Sequence, residues 1–259
     1  MPNPLPKHPS NLTMKAVCFS SSNFGPPSKS LSLQTIPKPF LDKNTTSSAN
    51  DGSIIVSPQA LIKVHACGLN PIDKIRLEGG LKAVLPEEYD TSVLGYDVSG
   101  VIEEISGDYK DFKVGDEVYV RVRRSTKYGA LAEYIVCNLD ECGHKPSNLT
   151  HVQAAAVPLA GLTALQALRR GNVTSGSKVL IPGGAGGVGT LGIQIAKRVL
   201  GAAFVATTAS EGKGMEIVNK LGADRVVDYR KEEVEDALAG EDFDMVCKLK
   251  FIKCHQNEN

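Results

Sequence analysis

One stretch decides the fold, Lys178-Val-Leu-Ile-Pro-Gly-Gly-Ala-Gly-Gly-Val-Gly189, and it runs directly into Thr190-Leu-Gly-Ile-Gln-Ile-Ala-Lys-Arg-Val-Leu200. Residues 179–181 form a short apolar run that is typical of a buried strand. Beyond the glycines, apolar residues recur every four positions, which is the spacing of one helix face. The sequence therefore predicts a strand, a tight glycine-rich turn and a helix in immediate succession.

The turn contains the pattern G-x-G-x-x-G in the segment Gly184-Ala-Gly-Gly-Val-Gly189. Gly184 permits a tight turn, Gly186 lets the backbone approach a pyrophosphate, and Gly189 lets the helix lie close to the sheet. The helix N-terminus then offers N–H groups and the positive end of its dipole to phosphates. A glycine-rich turn alone is more often only a turn, but the flanking strand and helix favour a dinucleotide site. Its candidate cofactor-binding residues are Gly184, Ala185, Gly186, Gly187, Val188 and Gly189.

The bulk composition is that of a globular protein. The 259 residues are 42% hydrophobic and 22% charged, and a chain of this length predicts about two domains. The net charge is zero, so a general affinity for nucleic acid or for an anionic membrane is not expected. The longest apolar stretch, near residues 154–168, is broken by Pro158 and Gly161 and is too short to span a bilayer.

The cysteines indicate a reducing compartment. All six are scattered without a C-x-x-C pair, and no secretory leader is apparent. This pattern fits reduced thiols in a cytoplasmic protein. Residues 1–13 are predicted to be a disordered tail, and their lack of arginine gives no support to organelle import.

Residues 14–146 are predicted to form a β-rich domain. Short β-branched runs bounded by glycine or Gly-Asp turns recur there, with few helical signals, as in a sandwich or barrel. The predicted strands start at Met14 and near Leu31 and then occupy 60–66, 93–105, 114–120 and 129–136. The polar stretch 42–53 is predicted to be a surface loop.

Residues 147–247 are predicted to alternate strands and helices. Thr150 is a predicted N-cap of a helix through Ala156, with Gln153 in the capping-box position, and Pro158 interrupts that helix. The predicted elements that follow are strand 178–182, helix 188–200, strand 203–207, helix 213–221, strand 225–228, helix 231–239 and strand 243–247. Such alternation implies right-handed βαβ units around a parallel sheet.

Seven motifs follow one another along residues 14–247. They are Val64-His-Ala-Cys-Gly-Leu-Asn-Pro-Ile-Asp73, Gly95-Tyr-Asp-Val-Ser-Gly100, Val114-Gly-Asp-Glu-Val118, Gly129-Ala-Leu-Ala-Glu-Tyr134, Pro158-Leu-Ala-Gly-Leu-Thr-Ala164, Gly183-Gly-Ala-Gly-Gly-Val-Gly189 and Leu221-Gly-Ala-Asp-Arg-Val-Val-Asp-Tyr229. Together they resemble the medium-chain dehydrogenase/reductase superfamily, in its zinc-free quinone oxidoreductase (zeta-crystallin-like) or enone reductase branch. The resemblance implies an N-terminal GroES-like partial barrel, a Rossmann doubly wound parallel sheet, and a cofactor and substrate cleft between the two.

The resemblance also implies that no zinc is bound. Zinc-dependent members carry a cysteine at the position of Asn70, a His-Glu pair at the position of Tyr96-Asp97, and a cluster of four cysteines that this chain lacks. Tetrahedral zinc needs thiolate or imidazole ligands at such positions. Cys142-Gly-His144 supplies only two candidate ligands and is predicted to be a surface turn.

Hydride transfer without a metal must then depend on positioning. By resemblance, Asn70 and Thr163 lie near the nicotinamide, and Asn70 is the favoured polar group for orienting cofactor or substrate, although it could be only a turn residue before Pro71. Tyr96 is a candidate polar contact or a core aromatic. Asp73 is expected to orient backbone rather than to transfer protons. Relatives often carry tyrosine or lysine where this chain has Ile75, so solvent is the expected proton source.

The end of the second Rossmann strand decides the cofactor. An acidic side chain there would bind the ribose diol of NAD, but the sequence reads Ala206-Thr-Thr-Ala-Ser-Glu-Gly-Lys213. By resemblance, Ser210, Lys213 and Tyr229 match positions that bind the 2′-phosphate of NADPH, which suits one cation and two hydroxyls. NADPH is therefore favoured over NADH, although the acidic side chain of Glu211 leaves NADH as an alternative cofactor.

The partners expected are a small quinone or enone and no membrane. Arg121-Val-Arg-Arg124 with Lys127 is the one basic cluster, and the neutral net charge makes it a solvated loop or a cofactor contact rather than a nucleic-acid site. A homodimer is left open.

The C-terminal sequence departs from the resemblance. Residues 248–259 match no expected pattern, so the chain is expected to hold a truncated Rossmann domain whose fourth strand is an open edge. In the strand order 3-2-1-4-5-6 the crevice between strands 1 and 4 would survive. Two functions remain: an NADPH-dependent quinone or enone oxidoreductase, and a non-catalytic nucleotide-binding or interaction fragment of one.

Overall fold

The computed structural model describes residues 12–20, 24–41, 47–48, 54–55, 58–81, 91–107, 109–122 and 129–247. The chain divides into two compact units after Leu159, whereas the sequence analysis placed the boundary after Pro146. Helix α3 (His151–Ala155), between these two positions, packs on strands of the first unit. The predicted domain limits stay a prediction, and both predicted tails lie almost wholly outside the described residues.

The first unit is dominated by antiparallel strands. They are β1 (Thr13–Ser20), β2 (Ser32–Pro37), β3 (Ser47–Ser48), β4 (Ile54–Ile55), β5 (Gln59–Gly68), β6 (Thr91–Val93), β7 (Asp97–Ile105), β8 (Glu117–Arg121), β9 (Tyr134–Asn138) and β10 (Cys142–His144). The helices of this unit are α1 (Pro27–Ser30), α2 (Pro71–Leu77), the 3₁₀ turn Leu139–Glu141 and α3.

Within the described residues, the largest sheet of the first unit has the order β10-β8-β7-β5-β9, and β2-β1-β6 form a second sheet. Alternate residues of β5, β7 and β8 face one apolar core, as the period of two in a half-buried strand requires. Position 100 of β7 requires glycine, because a Cβ there would lie 2.1 Å from the Lys63 carbonyl oxygen of the neighbouring strand. This architecture confirms the predicted β-rich N-terminal domain.

The second unit has a parallel sheet with helices between its strands. Its elements are α4 (Pro158–Arg170), β11 (Lys178–Ile181), α5 (Gly187–Gln194), the π-helical turn Ile195–Val199, β12 (Phe204–Thr208), α6 (Lys213–Leu221), β13 (Arg225–Val227), α7 (Val234–Ala237) and β14 (Met245–Val246). In the part of the chain described, the strand order is β13-β12-β11-β14, which equals 3-2-1-4 of the predicted Rossmann order. The predicted α/β class with an incomplete doubly wound sheet is confirmed.

Several predicted elements change their limits or type. The helix predicted over 188–200 starts at Gly187, and its last turn widens because the Leu200 N–H bonds to the Ile195 carbonyl five residues back. The helix predicted over 231–239 shrinks to α7, because residues 228–232 form a separate turn in which the Lys231 and Glu232 N–H groups bond to the Asp228 carbonyl and Glu233 is extended.

The segment Cys142–His144 is strand β10 and not the predicted surface turn. It pairs antiparallel with Val118–Val120 of β8, a partner more than twenty residues away in sequence. The strand predicted to start at Gly129 begins only at Tyr134. Gly129 lies tightly against the chain before it, where a Cβ would meet the Val93 and Leu94 carbonyl oxygens within 2.5 Å.

Among the described residues, no helix combines the length and the apolar character that a membrane crossing needs. The predicted loop 42–53 and most of the basic cluster, residues 123–124 and 127, fall largely outside those residues.

Candidate functional site

The glycine-rich turn follows β11, next to the point where the strand order reverses between β11 and β14. Its first residue with positive φ is Gly183 (φ 73°), one position earlier than the sequence pattern indicated. Thr208 of the neighbouring strand fixes the turn: its Oγ1 accepts the Gly183 N–H at 2.8 Å and its carbonyl accepts the Gly184 N–H at 3.0 Å. The end of β12 therefore holds the turn in place through these two hydrogen bonds.

Two glycines of the turn are required by contact. A Cβ on Gly184 would lie 2.0 Å from Thr207 Oγ1, and a Cβ on Gly189 would lie 2.3 Å from the Gly183 carbonyl oxygen. Gly189 thus packs against the turn itself and not only against the sheet. A Cβ on Gly187, by contrast, would meet only the Ala160 Cβ at 3.9 Å.

The exposed side of this turn is backbone. Ala185, Gly186 and Gly187 are exposed, whereas Gly184 and Gly189 are buried. Helix α5 starts at Gly187, and its N-cap Gly186 has no side chain with which to cap the first N–H groups. Those N–H groups and the helix dipole suit a phosphate, which is the group that the sequence pattern predicted.

The end of β12 brings further predicted residues to the turn. A Cβ on Gly214, in the first turn of α6, would lie 3.5 Å from Ala185 Cβ and 3.6 Å from Ser210 Oγ. Lys213 is the first residue of α6 and is exposed. Gly214 therefore lies next to both Ala185 and Ser210, and Lys213 directly precedes it in the chain, while the binding of a 2′-phosphate by these residues stays a prediction.

A buried carboxylate links this edge to β13. Asp228 accepts the N–H of Glu211 at 3.3 Å and the N–H of Arg230 at 3.1 Å. Tyr229, which stands between Asp228 and Arg230 in the chain, is exposed. The Glu211 carboxylate forms an ion pair with Lys231 at 2.7 Å. Glu211 is thus turned toward a lysine on the loop after β13.

In the first unit, Asn70 caps helix α2 and forms a capping box with Asp73. The Asp73 carboxylate accepts the Asn70 N–H at 2.8 Å and the Gly95 N–H at 3.1 Å. Burial raises the pKa of the Asp73 carboxyl, although these two hydrogen bonds and the Arg76 charge act in the opposite direction. Asp73 organises two backbone segments, which is the role that the sequence favoured for it.

Asp97 is the second carboxylate of this cluster and is only 1% exposed. It accepts the Asn70 Nδ2–H at 2.9 Å, and its two oxygens share the backbone N–H of Leu159 at 3.0 and 3.1 Å. Burial raises the pKa of the Asp97 carboxyl to about 6, against the lowering effect of both hydrogen bonds. Burial, with the charges of Asp73 and Asp97, also raises the pKa of the neighbouring Cys67 thiol to about 12.

The other two candidate catalytic residues lie in different settings. Tyr96 is 4% exposed, with the guanidinium groups of Arg76 and Arg121 about 6 Å from its ring centre. Thr163 is half-buried on α4. Their catalytic roles stay predictions, as do those of Asn70 and of the residues around the glycine turn.

The structure therefore assembles two clusters, one in each unit. Asp97 and Asp228 lie inside motifs quoted above, but their roles were not predicted from the sequence. Both are buried carboxylates that accept backbone N–H groups, and the signal for Asp228 is an acidic residue directly after an apolar strand. Asp97 offers no local signal, because Asn70 stands 27 residues before it.

Within the described residues, no three histidine, cysteine or acidic side chains come close enough together to hold a metal ion. Cys142 Sγ lies 3.5 Å from Cys137 Sγ, and His144 Nε2 lies 2.8 Å from the Asp111 carbonyl oxygen. Each of the two ligands suggested by the sequence thus has a partner of its own.

Two family models match this chain: "Alcohol dehydrogenase GroES-like domain" over residues 57–147 and "Zinc-binding dehydrogenase" over residues 187–249. Together they cover more than half of the sequence. They correspond to the β-rich unit and to the parallel-sheet unit.

Two curated plant proteins are similar over 190 residues, or 70% of this chain. One is the chloroplastic NADPH-dependent alkenal/one oxidoreductase of Arabidopsis thaliana, 45% identical, of which the chain covers 48%. The other is the 2-methylene-furan-3-one reductase of Solanum lycopersicum, 44% identical, of which it covers 47%. The chain thus spans about half the length of these relatives.

A solved structure, the quinone oxidoreductase from Coxiella burnetii, matches with a TM-score of 0.70 and 39% identity, over 87% of this chain and 65% of that protein. The fold, the ordered motifs and these relatives agree. The chain belongs to the medium-chain dehydrogenase/reductase superfamily.

Proposed function

We propose that this protein is an NADPH-dependent oxidoreductase that transfers a hydride to a quinone or to an α,β-unsaturated carbonyl compound. The observation that carries the proposal is the glycine turn of the second unit. Its exposed backbone and the uncapped start of α5 suit the phosphates of a dinucleotide, and Gly214, next to Lys213 in the chain, lies close to Ala185 and Ser210. The similarity to an NADPH-dependent alkenal/one oxidoreductase supports the same cofactor.

The choice of NADPH over NADH follows from the end of β12. Lys213 supplies a cation and Ser210 a hydroxyl for a 2′-phosphate, with Tyr229 exposed on the next loop. The acid that could bind a ribose diol, Glu211, is paired with Lys231 instead. Because such an exposed pair is weak, it lowers the preference for NADH without excluding its binding.

When bound, the cofactor supplies a hydride from its nicotinamide ring. The residues of this chain hold its phosphates on the glycine turn and its 2′-phosphate at Lys213. Asn70 and Thr163, with Tyr96 as a weaker candidate, orient the nicotinamide or the acceptor in near-attack geometry. The names of the similar reductases support a conjugated carbonyl or a quinone as the acceptor.

We also propose that the reaction needs no zinc. At positions where the resemblance places zinc ligands, the side chains of Asn70 and Asp97 are hydrogen-bonded to each other. An amide and a carboxylate engaged in this way do not supply the thiolate and imidazole ligands that tetrahedral zinc favours. Full turnover after dialysis against a chelator is expected, and loss of turnover that zinc restores would contradict this part of the proposal.

The direct test is NADPH oxidation by the purified chain with an alkenal, an enone and a quinone. The expected result is consumption of NADPH that depends on the acceptor, with one molecule of saturated carbonyl or hydroquinone formed for each NADPH. NADPH binding without turnover of any acceptor would instead favour a non-catalytic nucleotide-binding module, a reading open to a chain that spans half of its relatives.

The partner of this activity is a small molecule, and a homodimer and a cytoplasmic location are further proposals. The five cysteines among the described residues are free thiols, which supports a reducing compartment. A nucleic-acid partner is not favoured, because the net charge is zero.

A further inference from the structure

The side chain of Asn70 is held in one orientation by groups that are distant in sequence. Its Nδ2 donates to Asp97 Oδ2 at 2.9 Å and approaches the Gly68 carbonyl oxygen at 3.5 Å. Its backbone N–H is fixed separately by Asp73. Both hydrogens of the amide nitrogen therefore point to protein oxygens, and in the capping box the side-chain oxygen faces the backbone N–H of Asp73. The group that Asn70 can still offer to a bound molecule is the second lone pair of that oxygen.

We propose that Asp97 is a positioning residue that fixes the polarity of Asn70, so that Asn70 accepts a hydrogen bond from the bound cofactor or substrate instead of donating one. The proposal rests on the proposed function and deepens it. A hydrogen-bond donor to a developing oxyanion is then not the role of Asn70. The group that it recognises is an N–H or an O–H.

The ionised form of Asp97 is what enforces this orientation. A carboxylate accepts hydrogen bonds only, so the amide nitrogen of Asn70 must face it. A protonated Asp97 could donate to the Asn70 oxygen instead, and the amide orientation would then be held only by the long contact to the Gly68 carbonyl oxygen and by the capping box with Asp73. The Leu159 N–H, shared by both Asp97 oxygens, holds the carboxylate itself in place.

Holding Asp97 ionised in this buried place costs folding free energy at neutral pH. Burial disfavours the ionised carboxyl, and the nearby Asp73 charge adds to that effect, while Arg121 opposes it. A buried carboxylate that destabilises the fold at neutral pH and touches a candidate site residue is typical of a functional position.

The reaction offers two donors of the right chemistry. One is the carboxamide N–H of the nicotinamide, and the other is the hydroxyl of a reduced quinone. Replacing the carboxamide by an acetyl group, as in the 3-acetylpyridine analogue of NADPH, removes the first donor. A hydroquinone and its dimethyl ether differ in the second donor.

The test substitutes Asp97→Asn and measures binding of both ligand pairs by calorimetry, beside wild type and Asn70→Ala. The amide oxygen of the new side chain can keep the Leu159 N–H, so its nitrogen faces Asn70 and reverses that amide. We expect wild type to prefer the donor-bearing member of one pair by about tenfold, the value of one such hydrogen bond. Both variants should lose that preference, and the double variant should lose no more than either single one.

A pH series on wild type tests the same role without mutation. Asp97 is faced by Asn70 and Asp73, by Arg121 from β8 and by the Cys67 thiol from β5, and its own carboxyl has a pKa of about 6. The preference should therefore fall as the pH drops below about 6 in wild type and stay flat in Asp97→Asn. The wild-type part of this pH series tests the proposal even if the Asp97→Asn protein does not fold.

Each outcome has one meaning. An unchanged preference in folded Asp97→Asn, or no preference for either donor-bearing ligand in wild type that binds NADPH, overturns the positioning role and leaves the proposed function standing. Failure of folded wild type to bind NADPH overturns both.

Discussion

The glycine turn of the second unit and the Asn70 cluster of the first are built in opposite ways. The turn is made of backbone, and its contacts run between Gly183, Gly189 and the end of the adjacent strand. The Asn70 cluster is made of side chains: two buried carboxylates accept four N–H groups from three separate segments, those of Asn70, Gly95 and Leu159. The backbone turn tolerates no added atom at its tightly packed glycines, Gly184 and Gly189, whereas the carboxylate cluster depends on each acceptor oxygen keeping its N–H partner.

The substitution with the largest expected effect on this difference is Gly189→Ala, in the glycine turn. The new Cβ would lie 2.3 Å from the Gly183 carbonyl oxygen and 2.6 Å from Gly184 Cα, so the turn must open. We expect a loss of about 3 kcal/mol in the free energy of unfolding and no measurable NADPH binding. Gly187→Ala is the matched control, with its Cβ 3.9 Å from the nearest atom, and should change stability by less than about 1 kcal/mol. Equal behaviour of the two variants in urea denaturation would contradict the packing role.

The second change removes one charge from the other cluster. Asp73→Asn turns an amide N–H₂ toward one of the two backbone N–H groups that the carboxylate now accepts. We expect a loss of about 2 kcal/mol of stability from the broken hydrogen bond and the facing donors. Asp111→Asn, at an exposed position of the same unit, should stay within about 0.5 kcal/mol of wild type. A urea midpoint that shifts equally in both variants would contradict the role of Asp73 as the acceptor of two backbone N–H groups.

A smaller effect sharpens the account of the cofactor surface. Lys213→Ala removes the proposed 2′-phosphate cation, and we expect NADPH affinity to fall about tenfold while NADH affinity is unchanged. Lys220→Ala, near the other end of the same helix, is the control and should leave both affinities as they are. Titration calorimetry measures the pair, and a parallel loss for NADH would remove the 2′-phosphate assignment.

The smallest expected effect concerns pH. The Asp97 carboxyl has a pKa of about 6 in the folded chain against 3.8 as its ordinary value, so the native state holds an extra proton between these values. Stability should therefore fall as the pH rises from 5 to 7, by about 1 kcal/mol more in wild type than in Asp97→Asn. If the stabilities of the two proteins, measured by urea denaturation, changed in parallel with pH, the prediction would be wrong, because ionisation of Asp97 would then cost no stability.

The local parts of the fold follow from sequence, and the remote parts do not. Helix α6 starts and ends where the sequence predicts, because Gly212 and Gly222 adopt positive φ at its two ends. The glycine turn is likewise predicted, since its motif and its structural requirement are both local. The strand at 142–144 was not predicted, because only its pairing with β8 distinguishes it from a turn.

The same division runs through the candidate site. Asn70 and Asp73 share one helix start, so their capping box can be read from a short motif. The bond from Asn70 to Asp97 and the bond from Asp97 to Leu159 join positions 27 and 62 residues apart. No pattern in a single sequence signals such a contact, which is why the polarity of Asn70 emerges only from the structure.

Calorimetric titration of the purified chain with NADPH, and with NADH for comparison, tests the central claim most directly. The glycine turn with Ser210 and Lys213 predicts binding of NADPH with a Kd of about 1–10 μM, at least about tenfold tighter than NADH. A folded, monodisperse sample that binds neither nucleotide, or binds both equally, would contradict the assignment of this surface to NADPH.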